Sequence, residues 1–238
     1  MDDLNRYTPT RFPTASRPLL GMTILVIEDS RYACDALRLL CLRSGARIRR
    51  ADCLASARRH LQVYRPSAIL IDLGLPDGSG LDLIEELADA TPRVGVLLGM
   101  SADESLGQYA LDMGADGFLA KPISSVSAFQ EAILAHLPAD RHPGGPRALN
   151  DEQVEPDPLA YREDMHHIAD IIDEGNAGPG PSYVAQFLTG VASSAKDTQL
   201  LQAAEKLARA QDSDSETQSI LLKISELVQE RMNSRLAI

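Results

Sequence analysis

Four short apolar runs in this chain stop abruptly on a polar side chain and then give way to a turn or a helical pattern. The sharpest is Ile69-Leu70-Ile71-Asp72, followed by the loop-forming Leu73-Gly74-Leu75-Pro76-Asp77-Gly78-Ser79-Gly80. A run of this length that ends in a carboxylate is the pattern of a buried parallel strand delivering an acid to the carboxyl edge of a sheet. Open α/β sheets bind their ligands along that edge, so Asp72 is placed for chemistry. A lone Asp at a strand end is more commonly a plain polar cap. Three companions change that balance.

Thr23-Ile24-Leu25-Val26-Ile27 ends in two adjacent acids, Glu28 and Asp29. Neighbouring carboxylates repel, and their burial requires a proton or a cation. With Asp72 alongside they form a compact oxygen site suited to Mg²⁺, which takes few protein ligands and keeps several waters. Val94-Gly95-Val96-Leu97-Leu98-Gly99-Met100 ends in the Ser101 hydroxyl, and Gly114-Ala115-Asp116-Gly117-Phe118-Leu119-Ala120 ends in Lys121-Pro122.

Two acids, one acid, a hydroxyl and a lysine, in that order at successive strand ends, resemble the receiver domain of two-component response regulators over residues 22–138. The resemblance implies a doubly wound α/β fold, a five-stranded parallel flavodoxin-like sheet. It implies Asp72 as phosphoacceptor, Glu28 and Asp29 as the Mg²⁺-holding pair, and Lys121 as the phosphate-binding lysine. Ser101 matches the switch hydroxyl, Phe118 the switch aromatic, and Pro122 a proline commonly preceded by a cis bond. Gly74, two residues past Asp72, offers only its backbone carbonyl to the metal and no side chain over the phosphate. The implied partner is a sensor histidine kinase or a phosphotransfer protein.

The chemistry fits these residue types without the name. A carboxylate can act as a nucleophile, and phosphoryl transfer depends mainly on positioning and charge neutralisation. The sequence has no Gly-rich nucleotide loop or Walker motif, so the phosphoryl group is expected from a donor. The chain is accordingly read not as an enzyme on an external substrate but as a phosphoacceptor that self-phosphorylates and self-dephosphorylates at Asp72. Packing of Phe118 in the core is the ordinary alternative to a switch.

The remaining patterns divide the chain. Residues 1–21 read as a flexible N-terminal arm without the apolar core of a secretory signal. The first helix follows Ser30 and stops at Gly45. Arg47-Ile48-Arg49-Arg50 reads as an edge strand whose arginines discourage further pairing. Ser101-Ala102-Asp103-Glu104 has capping-box spacing, which competes with a sensing role for Ser101 by making it the N-cap of the fourth helix. Gly95 and Gly99 are unusual in a strand and imply close packing or a loosened strand. Cys34, Cys41 and Cys53 lack CxxC spacing, and Cys34 and Cys41, seven apart on one face of the first helix, read as core thiols of a reducing cytoplasm.

Residues 139–160 form a Pro/Gly-rich linker. Residues 161–238 are read as a helical interaction domain, with helices near Tyr161–Glu174, Ser182–Ser194, Asp197–Ala210 and Glu216–Leu236. Ser213 with Glu216 has a second capping-box spacing.

Charge argues against the usual DNA-reading output. Residues 151–238 carry 7 Lys and Arg against 16 Asp and Glu, a net of −9, with no basic stripe for phosphates. Nucleic acid is therefore an unlikely partner on this reading, and a phosphorylation-controlled DNA-binding transcription factor is the alternative. His166 and His167 lack the context of a phosphotransfer histidine, and adjacent helical residues face different ways. Ile220, Leu221, Ile224, Leu227 and Val228 make an apolar stripe that either packs at home or supports a homodimer through the C-terminal helices. No run approaches the roughly 18 apolar residues of a membrane span, and a cytoplasmic, membrane-free setting is expected.

Overall fold

The computed structural model describes residues 12–145, 152–175, 179–210 and 214–234. Five parallel strands, β1 (Thr23–Ile27), β2 (Arg47–Ala51), β3 (Ala68–Asp72), β6 (Val96–Ser101) and β7 (Gly117–Ala120), form one sheet in the order β2-β1-β3-β6-β7. The short strands β4 (Gly74–Leu75) and β5 (Gly78–Ser79) make a small antiparallel hairpin after β3. Helices α1 (Arg31–Ser44), α2 (Leu54–Val63), α3 (Gly80–Ala88), α4 (Leu106–Asp112) and α5 (Val126–Leu134) alternate with the five long strands.

Strand alternation sorts the apolar residues into two layers. Ile24, Val26, Leu70, Leu98 and Met100 face one way, toward Leu37, Leu40, Phe129 and Ile133 of α1 and α5. Leu25, Ile27, Ile69, Ile71 and Leu97 face the other way, toward Ala57, Leu83, Ile84 and Ala110 of α2, α3 and α4. Burial on both faces explains why these strands read as continuous apolar runs. The arginine-bearing β2 lies at the edge, as its charge predicts.

Helix α1 starts and stops where its residues demand. Ser30 Oγ accepts from the Ala33 N–H at 3.0 Å, and Gly45 closes the helix at φ 83°. Gly99 lies under Ala110 of α4, and a Cβ at Gly99 would sit 3.1 Å from that methyl. This is the close-packing answer for Gly99, whereas Gly95 lies just before β6 and outside the strand.

Three expectations change. Helix α4 begins at Leu106, not at a Ser101 cap: Ser101 stays in β6 paired with β7, and its carbonyl accepts from the Lys121 N–H at 2.8 Å. Strand pairing outcompetes the local cap, and Asp103 Oδ1 instead accepts from Ser105 N–H at 2.9 Å. The arm is not loose along its whole length. Leu19 is fully buried in the sheet core and its N–H donates to the Ser44 carbonyl at 3.0 Å, while residues 1–11 lie outside the described residues. Nor is the linker free throughout: Val154 is buried in the same core, its N–H donates to Ser124 O at 2.9 Å, and Gln153 bridges to Ser125.

Four helices follow, α6 (Pro158–Glu174), α7 (Pro181–Ala195), α8 (Thr198–Arg209) and α9 (Asp214–Asn233). Their core joins Met165, Ile168, Leu188, Val191, Leu200, Leu207, Ile224 and Val228. The α9 stripe packs against its own bundle, with Ile224, Leu227 and Val228 buried and Ile220 and Leu221 partly so. Asp197 ties the bundle together: it caps Leu200 N–H at 3.1 Å and accepts from Tyr161 Oη at 2.8 Å and Arg231 Nε at 2.9 Å. The Ser213 cap lies outside the described residues. Among the described residues no helix is long and apolar enough to cross a membrane.

Candidate acidic site at the sheet edge

The strand order reverses direction between β1 and β3, and ligands of open sheets bind at that point. Glu28 and Asp29 follow β1 directly, and Asp72 is the last residue of β3. Ser101 ends β6 and Lys121 follows β7. The fold thus brings together the five residues singled out in the sequence.

One oxygen from each of Glu28, Asp29 and Asp72 lies within 4.8 Å of the others, a set that can hold a metal ion. Lys121 Nζ stands 2.9 Å from Asp72 Oδ2 and 2.6 Å from Glu28 Oε2, with its side chain 7% exposed. The contact to Glu28 is an ion pair rather than an aligned hydrogen bond, and Oε2 is left without a hydrogen-bond partner although buried.

Burial first, then the charges of its neighbours, raises the proton affinity of Glu28 well above the ordinary carboxylate range, against the pull of Lys121. Burial and the nearby Asp72 push Asp29 up to about 7. For Lys121 burial opposes the charged form, but Asp72 and Glu28 outweigh it and hold the ammonium firmly protonated. One ammonium faces three carboxylates. A divalent cation fits that deficit and that donor set.

The surroundings are as the strand ends dictate. Ser101 is buried and its Oγ accepts from Asp103 N–H at 3.1 Å, which leaves its own proton free to donate. Phe118 is half-buried against Gly107 at the start of α4. The Lys121-Pro122 bond is cis. Gly74 donates its N–H to Asp72 Oδ1 at 3.3 Å. Gly80 is required by close approach, since a Cβ there would lie 2.1 Å from the Asp72 carbonyl oxygen.

The helical domain also reaches this edge, which the sequence alone did not disclose. Asp164 of α6 accepts from Ser30 Oγ at 2.7 Å, Arg31 N–H at 2.7 Å and Tyr32 N–H at 3.1 Å. Burial pushes Asp164 up to about 6 against those hydrogen bonds. Tyr183 of α7 donates its hydroxyl to Asp29 Oδ2. Gln186 lies over Gly74, and Gly190 sits beside Lys121. Tyr183, Gln186, Phe187 and Gly190 are spaced i, i+3, i+4, i+7, so they share one helix face. That spacing was the available signal, but it names no partner. His167 sits 3.4 Å from Tyr183 Oη and stacks edge-on against Phe187, consistent with an ordinary half-buried helical histidine.

A doubly wound sheet with three clustered acids, a hydroxyl and a lysine at its switch edge defines the receiver class of signalling domains. Residues 24–133 match the family described as response regulator receiver domain, and this chain carries a domain of that family. Similar curated proteins include the KDP operon transcriptional regulatory protein KdpE of Escherichia coli, 33% identical over 99 residues, or 42% of this chain and 44% of the relative. Another is the virulence transcriptional regulatory protein PhoP of Salmonella typhimurium, 31% identical over 117 residues, covering 48% and 52% of the two chains. The chain spans about half the length of these relatives. Among solved structures, a CheY-like response regulator receiver domain from Methylobacillus flagellatus is 24% identical with a TM-score of 0.44, covering 48% of this chain and 97% of that one.

Proposed function

We propose that this protein is a two-component response regulator that accepts a phosphoryl group on Asp72 and signals through protein contacts of its helical domain. The observation that carries the reading is the Asp72 carboxylate at the end of β3, 2.9 Å from Lys121 and clustered with Glu28 and Asp29. The donor is a sensor histidine kinase, a phosphotransfer protein or a small acyl phosphate.

An Asp72 carboxylate oxygen attacks phosphorus as the bond to the donor's nitrogen or oxygen breaks, and the leaving group keeps the electron pair. Lys121 neutralises negative charge on the transferred oxygens, and the free Ser101 proton donates to one of them. Glu28, Asp29, Asp72 and the Gly74 carbonyl would hold Mg²⁺, which would supply further charge neutralisation at the phosphoryl group. Movement of Ser101 toward the phosphoryl group opens space toward Phe118, which couples the site to α4 and β7. Turnover is confined to formation and hydrolysis of the acyl phosphate at Asp72.

Incubation with acetyl phosphate and Mg²⁺, followed to its plateau on a phosphate-affinity gel, tests this. A single shifted species is expected for the wild type. Asp72→Asn or removal of Mg²⁺ with EDTA should abolish it. A shift that survives in Asp72→Asn overturns the assignment.

A second reading has support in the names of the relatives, which are transcriptional regulators. Those names weigh against setting nucleic acid aside. The acidic tail favours protein contacts, a homodimer among them, with light scattering as the check. Binding to genomic fragments that falls steeply with salt would establish the transcription-factor reading instead.

A further inference from the structure

We propose that the helical domain is a removable cap on the acidic site, and that its docked position and a phosphoryl group on Asp72 exclude one another. The inference rests on the phosphoacceptor reading above and goes beyond it by assigning a role to α6 and α7.

Space is the first argument. The void bounded by Asp72, Ser101, Lys121, Gln186, Phe187 and Gly190 measures about 10 Å³. One water needs roughly 10–15 Å³ on that measure, so three phosphoryl oxygens do not fit while α7 is in place. Gln186 closes the position that Gly74 leaves open: a Cβ on Gly74 would fall 2.1–2.4 Å from the Gln186 amide group.

Ligand competition is the second argument. Tyr183 donates to Asp29 Oδ2, an oxygen of the acid pair, so a cation bound there draws electron density from the carboxylate that holds the tyrosine hydroxyl. The cap and the cation therefore seek the same carboxylate.

Attachment is the third. The first two N–H groups of α1 have no partner within their helix, and Asp164 accepts from both as well as from the Ser30 hydroxyl. This is a helix cap supplied by another domain. Arg31, beside it, pairs with Glu163 at 3.6 Å. The hydrogen-bonding anchors are polar, and water can replace each of them when the bundle leaves; the Tyr32–Tyr161 ring contact parts with them, whereas the bundle's apolar core is a cluster of its own. Separation thus leaves both cores intact.

The same lack of space keeps the docked Gln186 from orienting a water for hydrolysis of an acyl phosphate, since neither the phosphoryl group nor the water has room beside it.

Exclusion makes the two states thermodynamically linked: the cap slows phosphorylation by the fraction of time it is closed, and phosphorylation holds it open. The Arg31 and Tyr32 amides report directly on docking, since both bond to Asp164. The test uses the full chain with Mg²⁺ and beryllofluoride, an acyl-phosphate mimic, whose occupancy is read by ¹⁹F NMR. Hydrogen exchange at Arg31 and Tyr32 should accelerate in the wild type and not in Asp72→Asn, with the α8 and α9 amides unchanged. In parallel, Asp164→Ala combined with Tyr183→Phe should take phosphate from acetyl phosphate roughly tenfold faster than the wild type. Full beryllofluoride occupancy with unchanged exchange at Arg31 and Tyr32 overturns the cap while leaving the phosphoacceptor reading standing. Absence of both mimic binding and labelling in the wild type and the double variant overturns the phosphoacceptor reading and the cap with it.

Discussion

The receiver sheet and the helical bundle place their polar residues by different rules. In the sheet, each side chain of the acidic site lies at or just past a strand end, so burial of Ile27, Ile71 and Met100 also fixes Glu28, Asp72 and Ser101. In the bundle, Asp164, Tyr183 and Gln186 project from helix interiors, where only rotation about the helix axis decides what they face. A strand end has one edge to go to. A helix face acquires meaning only from the surface laid against it. The difference separates a site that its own core positions from a surface that needs a second core to define it.

Paired truncations test whether the two cores are separate. Phe129→Ala removes the largest fully buried side chain of the sheet core and should cost about 3–5 kcal/mol. Leu188→Ala in the bundle should cost about 2–5 kcal/mol. Followed by residue-resolved hydrogen exchange, each should weaken protection chiefly in its own core. Equal loss of protection in both cores would show one cooperative unit and erase the comparison.

A smaller effect probes the strand-end rule. Gly80→Ala drives a methyl into the Asp72 carbonyl and should lower receiver stability by about 1–3 kcal/mol, read by denaturant titration. A neutral result would show that the backbone after β3 adjusts, and that the placement of Asp72 is looser than its strand implies.

The smallest concerns the bundle alone. Asp197→Ala removes the α8 cap and the link to Arg231, at a cost of about 1–2 kcal/mol. Burial opposes it, but Arg231, the Leu200 N–H and the Tyr161 hydroxyl hold Asp197 below the ordinary carboxylate range. A carboxylate depressed in the folded state contributes stability above its unfolded value, and that contribution is lost as pH falls through its folded value. The gap between wild type and variant should therefore be full at neutral pH and close on acidification. A gap that stays constant down to strong acid would remove Arg231 as the cause.

These contrasts explain what could be read from the chain. The five strand-end residues were legible because apolar runs announce strands and strands of one parallel sheet end on one edge. The start of α4 was not. Ser101 and Glu104 satisfy a local capping rule, but pairing with β7 keeps Ser101 in the sheet. Leu19 was missed in the arm because a single buried leucine carries no period. Asp164 was missed because, beside Glu163 on a helix, it looks like part of a solvated face. Its partners are 132 to 134 residues away in the chain.

The strap of residues 152–157 has a consequence for kinetics. Val154 is fixed in the sheet core, and the Asp157 N–H donates to Asp35 Oδ2 at 3.0 Å. Only seven positions separate that anchor from Asp164, so the bundle is held on a short leash beside the surface it covers. Such a leash turns rebinding into an intramolecular event, with an effective concentration in the millimolar range or above. On the proposed reading, a phosphoryl donor that seeks Asp72 competes with a rival tethered beside it.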